Sequence, residues 1–457
     1  MIAKKNITKA YYLFLLAHLL VWTMVPAVSN LNLPLDTIEA LAWGSNLDWG
    51  FDKHPPISAF AIELFYFTFG ANDWVYYLLS QIFVITAFIY VWKFSNEIFE
   101  EKIYSLFSLL AIESIFFYNF TTPEFNVNIS QLPFWALTVY FFWRGIKRNY
   151  ILYWILFGIF SALGFLSKYF FIYLLLSLFL YISFYLKKYK KNIKYYVLSI
   201  IISLIILSPH FFWLFDNNFV TLSYGMTRSN LSESGFVNHF FNPLIFVFKQ
   251  LLILLPFFLM FFLILKRSKI KIGLKNEKII FIIFVTIIPI LLVLLTSLLT
   301  GAKMRTMWMT PFYLFFGTLF VMILKKSIDF TKIKRFYFIF ISLFLISPIL
   351  YFAVSILDET KRTDYPGKEI ARLVQNKWDD NFVNEIKIVI GDEWYAGNLS
   401  YHLYSRPTWK NELKGVASDL NDEQGVIYTG NPKILKKICP GVFGTIKPVG
   451  YCMIGKR

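Results

Sequence analysis

The sequence predicts an α-helical polytopic membrane protein of about 11 transmembrane helices, followed by a small C-terminal α/β domain, on three observations. Of its 457 residues, 57% are hydrophobic and only 16% are charged, against about a quarter charged in ordinary soluble domains. Apolar runs close to the ~20 residues that cross a hydrocarbon core recur from residue 10 to about 355. Beyond that point basic and acidic residues nearly balance and the apolar runs shorten, so the chain divides into a membrane domain, 1–355, and a soluble domain, 356–457.

The runs place spans at roughly 10–28, 74–92, 103–119, 129–143, 151–166, 169–186, 195–214, 244–265, 278–299, 306–324 and 336–355. Ser167 and Lys168 are the only polar break in the stretch 151–186. Lys4, Lys5 and Lys9 precede the first run as in a signal peptide, but no small-residue cleavage site follows, so the run is read as a retained helix. With the N-terminus inside, three loops rich in basic residues fall on the cytoplasmic side. They hold Lys187, Lys188, Lys190, Lys191 and Lys194, then Lys266, Arg267, Lys269, Lys271 and Lys275, then Lys325, Lys326, Lys332, Lys334 and Arg335. The opposite loops carry chiefly Lys53, Lys168, Arg228, Lys303 and Arg305. That asymmetry follows the positive-inside rule and puts residues 29–73, residues 215–243 and the tail on the outer side.

The formal net charge of +17 is carried mostly between apolar runs, so it points to membrane lipids and not to nucleic acid. Cys439 and Cys452 are the only cysteines, which excludes a cysteine metal cage and leaves one disulfide open, permitted by an outer location. In the tail, Ile386 to Ile390 reads as a strand ending at Gly391-Asp392, residues 394–405 as a helix, and Gly425 to Thr429 as a second strand before a short helix.

The chemistry-bearing residues crowd into LNLPLDTIEALAWGSNLDWGFDKHPPISAF, beginning at Leu31. Asp36, Glu39 and Trp43 are spaced i, i+3 and i+7, so a helix starting near Pro34 sets a carboxylate pair beside an aromatic wall. Asp48, Asp52, Lys53 and His54 follow, and Pro55-Pro56 stops any helix and holds His54 extended. Composition alone leaves open a solvated loop in which Asp36 merely caps a helix.

The pattern L-D-x-x-E-x-L-x-W-G, then D-W-G and K-H-P-P, closely resembles the first periplasmic loop of the GT-C membrane glycosyltransferases. Within them it is similar to the family 39-like (PMT type 2) bacterial enzymes, among them aminoarabinose, galactosamine and galacturonic acid transferases acting on lipopolysaccharide. The likeness extends along most of the chain and includes Gly158 to Tyr169 and Gly391 to Pro407. It implies a bacterial inner-membrane enzyme with a polyprenyl-phosphate sugar donor and lipid A, lipopolysaccharide core or another glycan as acceptor. It implies Asp36 as the catalytic carboxylate. Many relatives have a second acid directly after it, where this chain has Thr37, which makes Glu39 the supporting acid.

Such a transfer needs a base for the acceptor hydroxyl and cations for the departing phosphate. Asp36 suits the first task, and Lys53, Lys168 and Arg228 suit the second. If the acceptor is itself a phosphate, Asp36 orients it instead of deprotonating it. Lys168 is either a snorkelling loop residue or, by its resemblance to the S-K-Y motif, a functional cation at membrane depth. His54 lies beside the acids and is a further substrate-binding candidate, whereas His210 reads as a core histidine at a helix end. Glu124, Asn126 and Asn128, in FTTPEFNVNIS, either cap helices or, as the resemblance implies, lie near the substrate cavity. Lys303, Arg305 and Trp308 read as a site for lipid headgroups more than for an acceptor phosphate.

Asp36, Glu39, Asp52 and His54 are able to ligate a divalent metal but lack a diagnostic spacing, so no metal is assigned. No P-loop or dinucleotide fingerprint occurs. The rival readings are a protein O-mannosyltransferase-like enzyme and a lipid-linked sugar flippase or transporter. A transporter is expected to show paired interrupted helices in two halves, and the sequence has no such symmetry.

Overall fold

The apolar runs fold as helices because a backbone in hydrocarbon must satisfy its own hydrogen bonds. The computed structural model describes residues 4–231, 235–266, 276–358, 360–411 and 424–457. A helix stands at each of the eleven expected places: α1 (Lys4–Ser29), α4 (Asp73–Ile98), α5 (Lys102–Ile112), α6 (Val127–Arg148), α7 (Ile151–Ser167), α8 (Ile172–Phe184), α9 (Ile193–Asp216), α11 (Asn238–Phe262), α12 (Glu277–Thr300), α13 (Phe316–Leu324) and α14 (Ile333–Leu357). Six of these are long and apolar enough to cross a membrane alone. Thr306–Tyr313 and Phe316–Leu324 make a seventh, bent by 54°. The remaining four are shorter or, like α6 with Arg144, Lys147 and Arg148 near its end, more polar. The chain is thus a multi-pass helical membrane protein. Of the second basic loop, residues 267–275 lie outside the described residues.

Close helix approach is made at small residues. Gly158 on α7 faces Ser199 on α9, where a Cβ would stand 2.6 Å from the Ser199 carbonyl oxygen. Two short helices, α2 (Leu35–Gly44) and α3 (Ile57–Phe69), lie between α1 and α4, and α10 (Val220–Arg228) lies between α9 and α11.

The C-terminal part builds a five-stranded sheet in the order β2-β1-β3-β5-β4. Its strands are β1 (Ile388–Ile390), β2 (Thr408–Lys410), β3 (Val426–Gly430), β4 (Val442–Ile446) and β5 (Val449–Ile454). β1 runs parallel to β2 and β3, while β5 is antiparallel to β3 and β4. Helices α15 (Gly367–Asp379), α16 (Tyr395–His402) and α17 (Pro432–Ile438) complete this module. Cys439 and Cys452 form a disulfide with Cα atoms 5.6 Å apart.

The module docks on α2 and α3. Arg406 in the stretch Tyr404 to Pro407 donates to the Leu41 carbonyl at 2.6 Å and to Glu63 Oε2 at 2.5 Å, with its guanidinium 4.2 Å from the Tyr66 ring centroid. Asn32 donates to Asn398 at 2.8 Å, and Tyr401 to Asp73 at 2.6 Å. These bonds bring the end of β1 over the start of α2.

Candidate active site

A cavity of about 1300 Å³ lies between α2, the break after α7, α10 and the C-terminal module. Pro34 fixes the backbone before α2, whose first turn carries Asp36. The Asp36 amide, left without an intrahelical acceptor, donates to Glu124 Oε1 at 3.1 Å. Asp36 is therefore not a cap: its carboxylate accepts no hydrogen bond among the described residues, and it lines the cavity together with Glu39. Trp43, one turn beyond Glu39, is buried, stacks on Phe51 at 5.6 Å and lines a small recess beside Asp36, Glu39 and His54, not the main cavity.

The electrostatics are dominated by burial among opposing charges. Burial raises the Asp36 carboxyl above its ordinary range, while the positive charges of Lys168, Lys53, Arg228 and Arg362 pull it back down. Burial, and then the Asp36 charge, push Glu124 up to about 8. Lys53 lies 2.9 Å from both Glu39 and Glu393. One ammonium serves two carboxylates there, so burial raises Glu39 to about 7 against the pull of Lys53, and Glu393 adds to the rise. Burial, with Lys168, Lys53 and Arg228 adding to it, holds His54 well below the usual histidine range, hence neutral. His54 lines the cavity from a bend closed by the Phe51 amide on its carbonyl at 3.0 Å, where the sequence suggested extended chain.

Lys168 sits where α7 ends. Its ammonium donates to Asn128 Oδ1 at 2.6 Å and lies 5.3 Å from the Trp308 ring centroid. It is buried and lines the cavity, so it does not snorkel. Arg228, the last residue of α10, lines the same cavity.

Asp36, Glu39, Lys53, His54, Glu124, Lys168 and Arg228 thus share one cavity. Asn126 is placed differently: it caps α6 by accepting from the Asn128 and Ile129 amides and lines an adjoining, smaller cavity. Its neighbour Asn128 reaches Lys168 instead. Asp48 accepts from the Trp213 indole and Asp52 from Asn411, and neither lines the cavity. His210 bonds Tyr169 and the Trp49 carbonyl as a buried structural residue. Among the described residues no group of three or more His, Cys, Asp or Glu side chains converges as a metal site.

Sequence reasoning missed Arg362, Glu393 and Trp394, and it set Arg305 aside for lipid headgroups. All four line the cavity. Gly391 (φ +148°) turns the chain after β1, where a Cβ would meet Thr429, and Asp392 accepts from the Trp394 and Tyr395 amides to start α16. Glu393 and Trp394 then face the cavity, with Arg362 5.9 Å from the Trp394 ring centroid. The resemblance at Gly391 to Pro407 was the available signal for Glu393 and Trp394, whereas Arg362 left none.

Residues 53–213 match the family model described as dolichyl-phosphate-mannose-protein mannosyltransferase. No curated protein matches the chain. Among solved structures, ArnT from Cupriavidus metallidurans bound to undecaprenyl phosphate is similar with a TM-score of 0.68 at 11% identity, over 99% of this chain and 98% of that one. The same protein in its apo state gives 0.63 at 10% identity, over 98% of each chain. The chain thus shares its fold with that protein over nearly the whole length of both, and residues 53–213 match the family model.

Proposed function

We propose that the chain moves a sugar from a polyprenyl-phosphate donor to lipid A or the lipopolysaccharide core at the periplasmic face of a bacterial inner membrane, with inversion at the anomeric carbon. In this reading the N-terminus is cytoplasmic, residues 1–355 form the membrane domain and residues 356–457 the periplasmic one.

The observation that carries the reading is a half-buried carboxylate, Asp36, facing a cavity whose other walls supply Lys168, Arg228, Arg305 and Arg362. The acceptor oxygen attacks the anomeric carbon, the bond from that carbon to the phosphate oxygen breaks, and the electron pair leaves on polyprenyl phosphate. The acceptor proton passes to Asp36, whose raised affinity for protons makes it the better base. The cations stabilise the charge growing on the departing phosphate. An acceptor phosphate carries no proton to lose, and Asp36 then orients it. Glu39 and Lys53 hold the α2 face against the C-terminal module, and His54 and Glu124 complete the binding wall. The fold shared with a protein solved with undecaprenyl phosphate bound supports the donor class. The description of the matching family model favours a protein O-mannosyltransferase-like activity as the second reading.

The test is mass spectrometry of lipid A and core oligosaccharide from a deletion strain with and without the wild-type gene. A mass increment of one sugar that returns with the gene is expected. Identical spectra in both fractions would redirect the search to protein acceptors.

A further inference from the structure

The first outer loop is tied to the end of α9 at three consecutive residues that the transfer step leaves unused. Asp48 accepts from the Trp213 indole at 2.8 Å, and the Trp49 carbonyl lies 2.6 Å from His210 Nδ1. At Gly50 a Cβ would stand 2.4 Å from the Trp213 ring, so any side chain there would displace that ring. His210 and Trp213 are one turn apart on α9, with their rings stacked at 6.1 Å. The other edge of the imidazole meets Tyr169, whose hydroxyl lies 2.7 Å from His210 Nε2. His210 is buried and does not line the main cavity, whereas Tyr169 does, next to Lys168 in the break between α7 and α8.

The partners assign the hydrogens. A carbonyl oxygen can only accept, so the Trp49 carbonyl puts the hydrogen of the neutral imidazole on Nδ1. Nε2 is then an acceptor, and the Tyr169 hydroxyl donates to it. With its one hydrogen spent, the Tyr169 oxygen offers a ligand only lone pairs. Thr221 of α10 is close enough to donate to that oxygen, which keeps further acceptor capacity toward the cavity. A phosphodiester has no hydrogen to give such an oxygen, but a sugar hydroxyl or amino group has.

We propose that Tyr169 reads the transferred sugar by accepting a hydrogen bond from one of its hydroxyl or amino groups, and that His210 is the positioning residue that fixes this polarity. The inference rests on the reading of a polyprenyl-phosphate sugar bound in the main cavity. The stretch Asp48-Trp49-Gly50 then acts on the site without touching it, because it holds the His210 ring, and through it the Tyr169 hydroxyl, in one orientation.

Deletion strains complemented with wild type, Tyr169→Phe, His210→Phe, His210→Gln or the double Tyr169→Phe/His210→Phe are compared at equal protein in the membrane. The readout is the initial rate of the sugar increment in whichever fraction carries it. The purified proteins are also offered undecaprenyl phosphate in phosphatidylcholine nanodiscs, with retained lipid read by native mass spectrometry. Tyr169→Phe and His210→Phe are each expected to slow transfer about tenfold, the scale of one lost hydrogen bond. The double variant is expected to be no slower than the slower single one, since both changes remove the same contact. His210→Gln, whose amide can donate to the Trp49 carbonyl and accept from Tyr169, is expected to transfer within about threefold of wild type. Every variant is expected to retain undecaprenyl phosphate as wild type does. The proposal is overturned if Tyr169→Phe transfers at the wild-type rate, if the two single losses multiply in the double variant, or if His210→Gln is as slow as His210→Phe. It is overturned as well if Tyr169→Phe loses undecaprenyl phosphate, which would put the hydroxyl on the phosphate. Should His210→Phe fail to accumulate, Tyr169→Phe and His210→Gln decide. A wild type that adds no sugar to any fraction and retains no undecaprenyl phosphate overturns the donor reading itself.

Discussion

The backbone amide of Asp36 donates to the Glu124 carboxylate at 3.1 Å, which ties the first turn of α2 to the loop before α6. Asp36 is thereby fixed by its backbone while its carboxylate stays free for a substrate. The arrangement also sets a second half-buried acid beside the first, and Glu124 is pushed up to about 8 as a result of its burial and of the Asp36 charge.

Burial raises Asp36, so the acid limb of the pH–rate profile is expected above the ordinary carboxylate range near 4. Activity is present when Asp36 is ionised and is lost as pH falls through its raised value. Arg362 is one of the cations that pull Asp36 back down. Arg362→Gln leaves burial less opposed, raises Asp36 further and moves the limb to higher pH. A limb that stays in place or moves to lower pH in this variant contradicts Asp36 as the titrating base.

Arg406 is the main ionic tie of the C-terminal module, with side-chain exposures of 14% and 5% for it and Glu63. Arg406→Ala leaves Glu63 buried without its counter-ion, a change that costs ~3–5 kcal/mol. Thermal unfolding of the detergent-solubilised protein is expected to shift down, and transfer to fall with it as Glu393 and Trp394 lose their placement. An unchanged melting temperature would show that the module docks by other contacts.

The Cys439–Cys452 disulfide ties the end of α17 to β5 across a short loop, away from the cavity. Cys452→Ser is expected to destabilise the protein by about 3 kcal/mol, the scale for a loop of this length, with transfer within about twofold. In intact cells the two wild-type cysteines are expected to resist maleimide until a reductant is added. Ready labelling without reductant would argue against an oxidising, periplasmic location.

The membrane part was legible because an apolar run of sufficient length has few alternatives to a helix in hydrocarbon. The 54° bend between Thr306–Tyr313 and Phe316–Leu324 was not, although Pro311 stands in the first piece. In the tail, β1, α16 and β3 were foreseen, but β2 spans only three residues, too short for alternation to show, and β4 and β5 were missed as well. Asp36, Glu39, Lys53 and His54 were read from spacing and resemblance, and they do share a cavity, whereas Asp48 and Asp52 of the same loop point elsewhere. Arg362 and Glu393 join them from more than 300 positions away in the chain, through docking at Arg406, Asn398 and Tyr401 that no local pattern encodes. Asn126, read as a cap or a cavity residue, caps α6 with its side chain and also lines the smaller cavity beside the first.

Asp36→Asn keeps the size of the side chain and removes its charge. Complementing a deletion strain with this variant and measuring the sugar increment on lipid A and core by mass spectrometry compares it with wild type at equal protein in the membrane. The increment is expected to fall by a factor on the order of 10² to 10⁴, the usual contribution of a positioned base. An undiminished increment with the variant would contradict the assignment of Asp36 as the catalytic carboxylate.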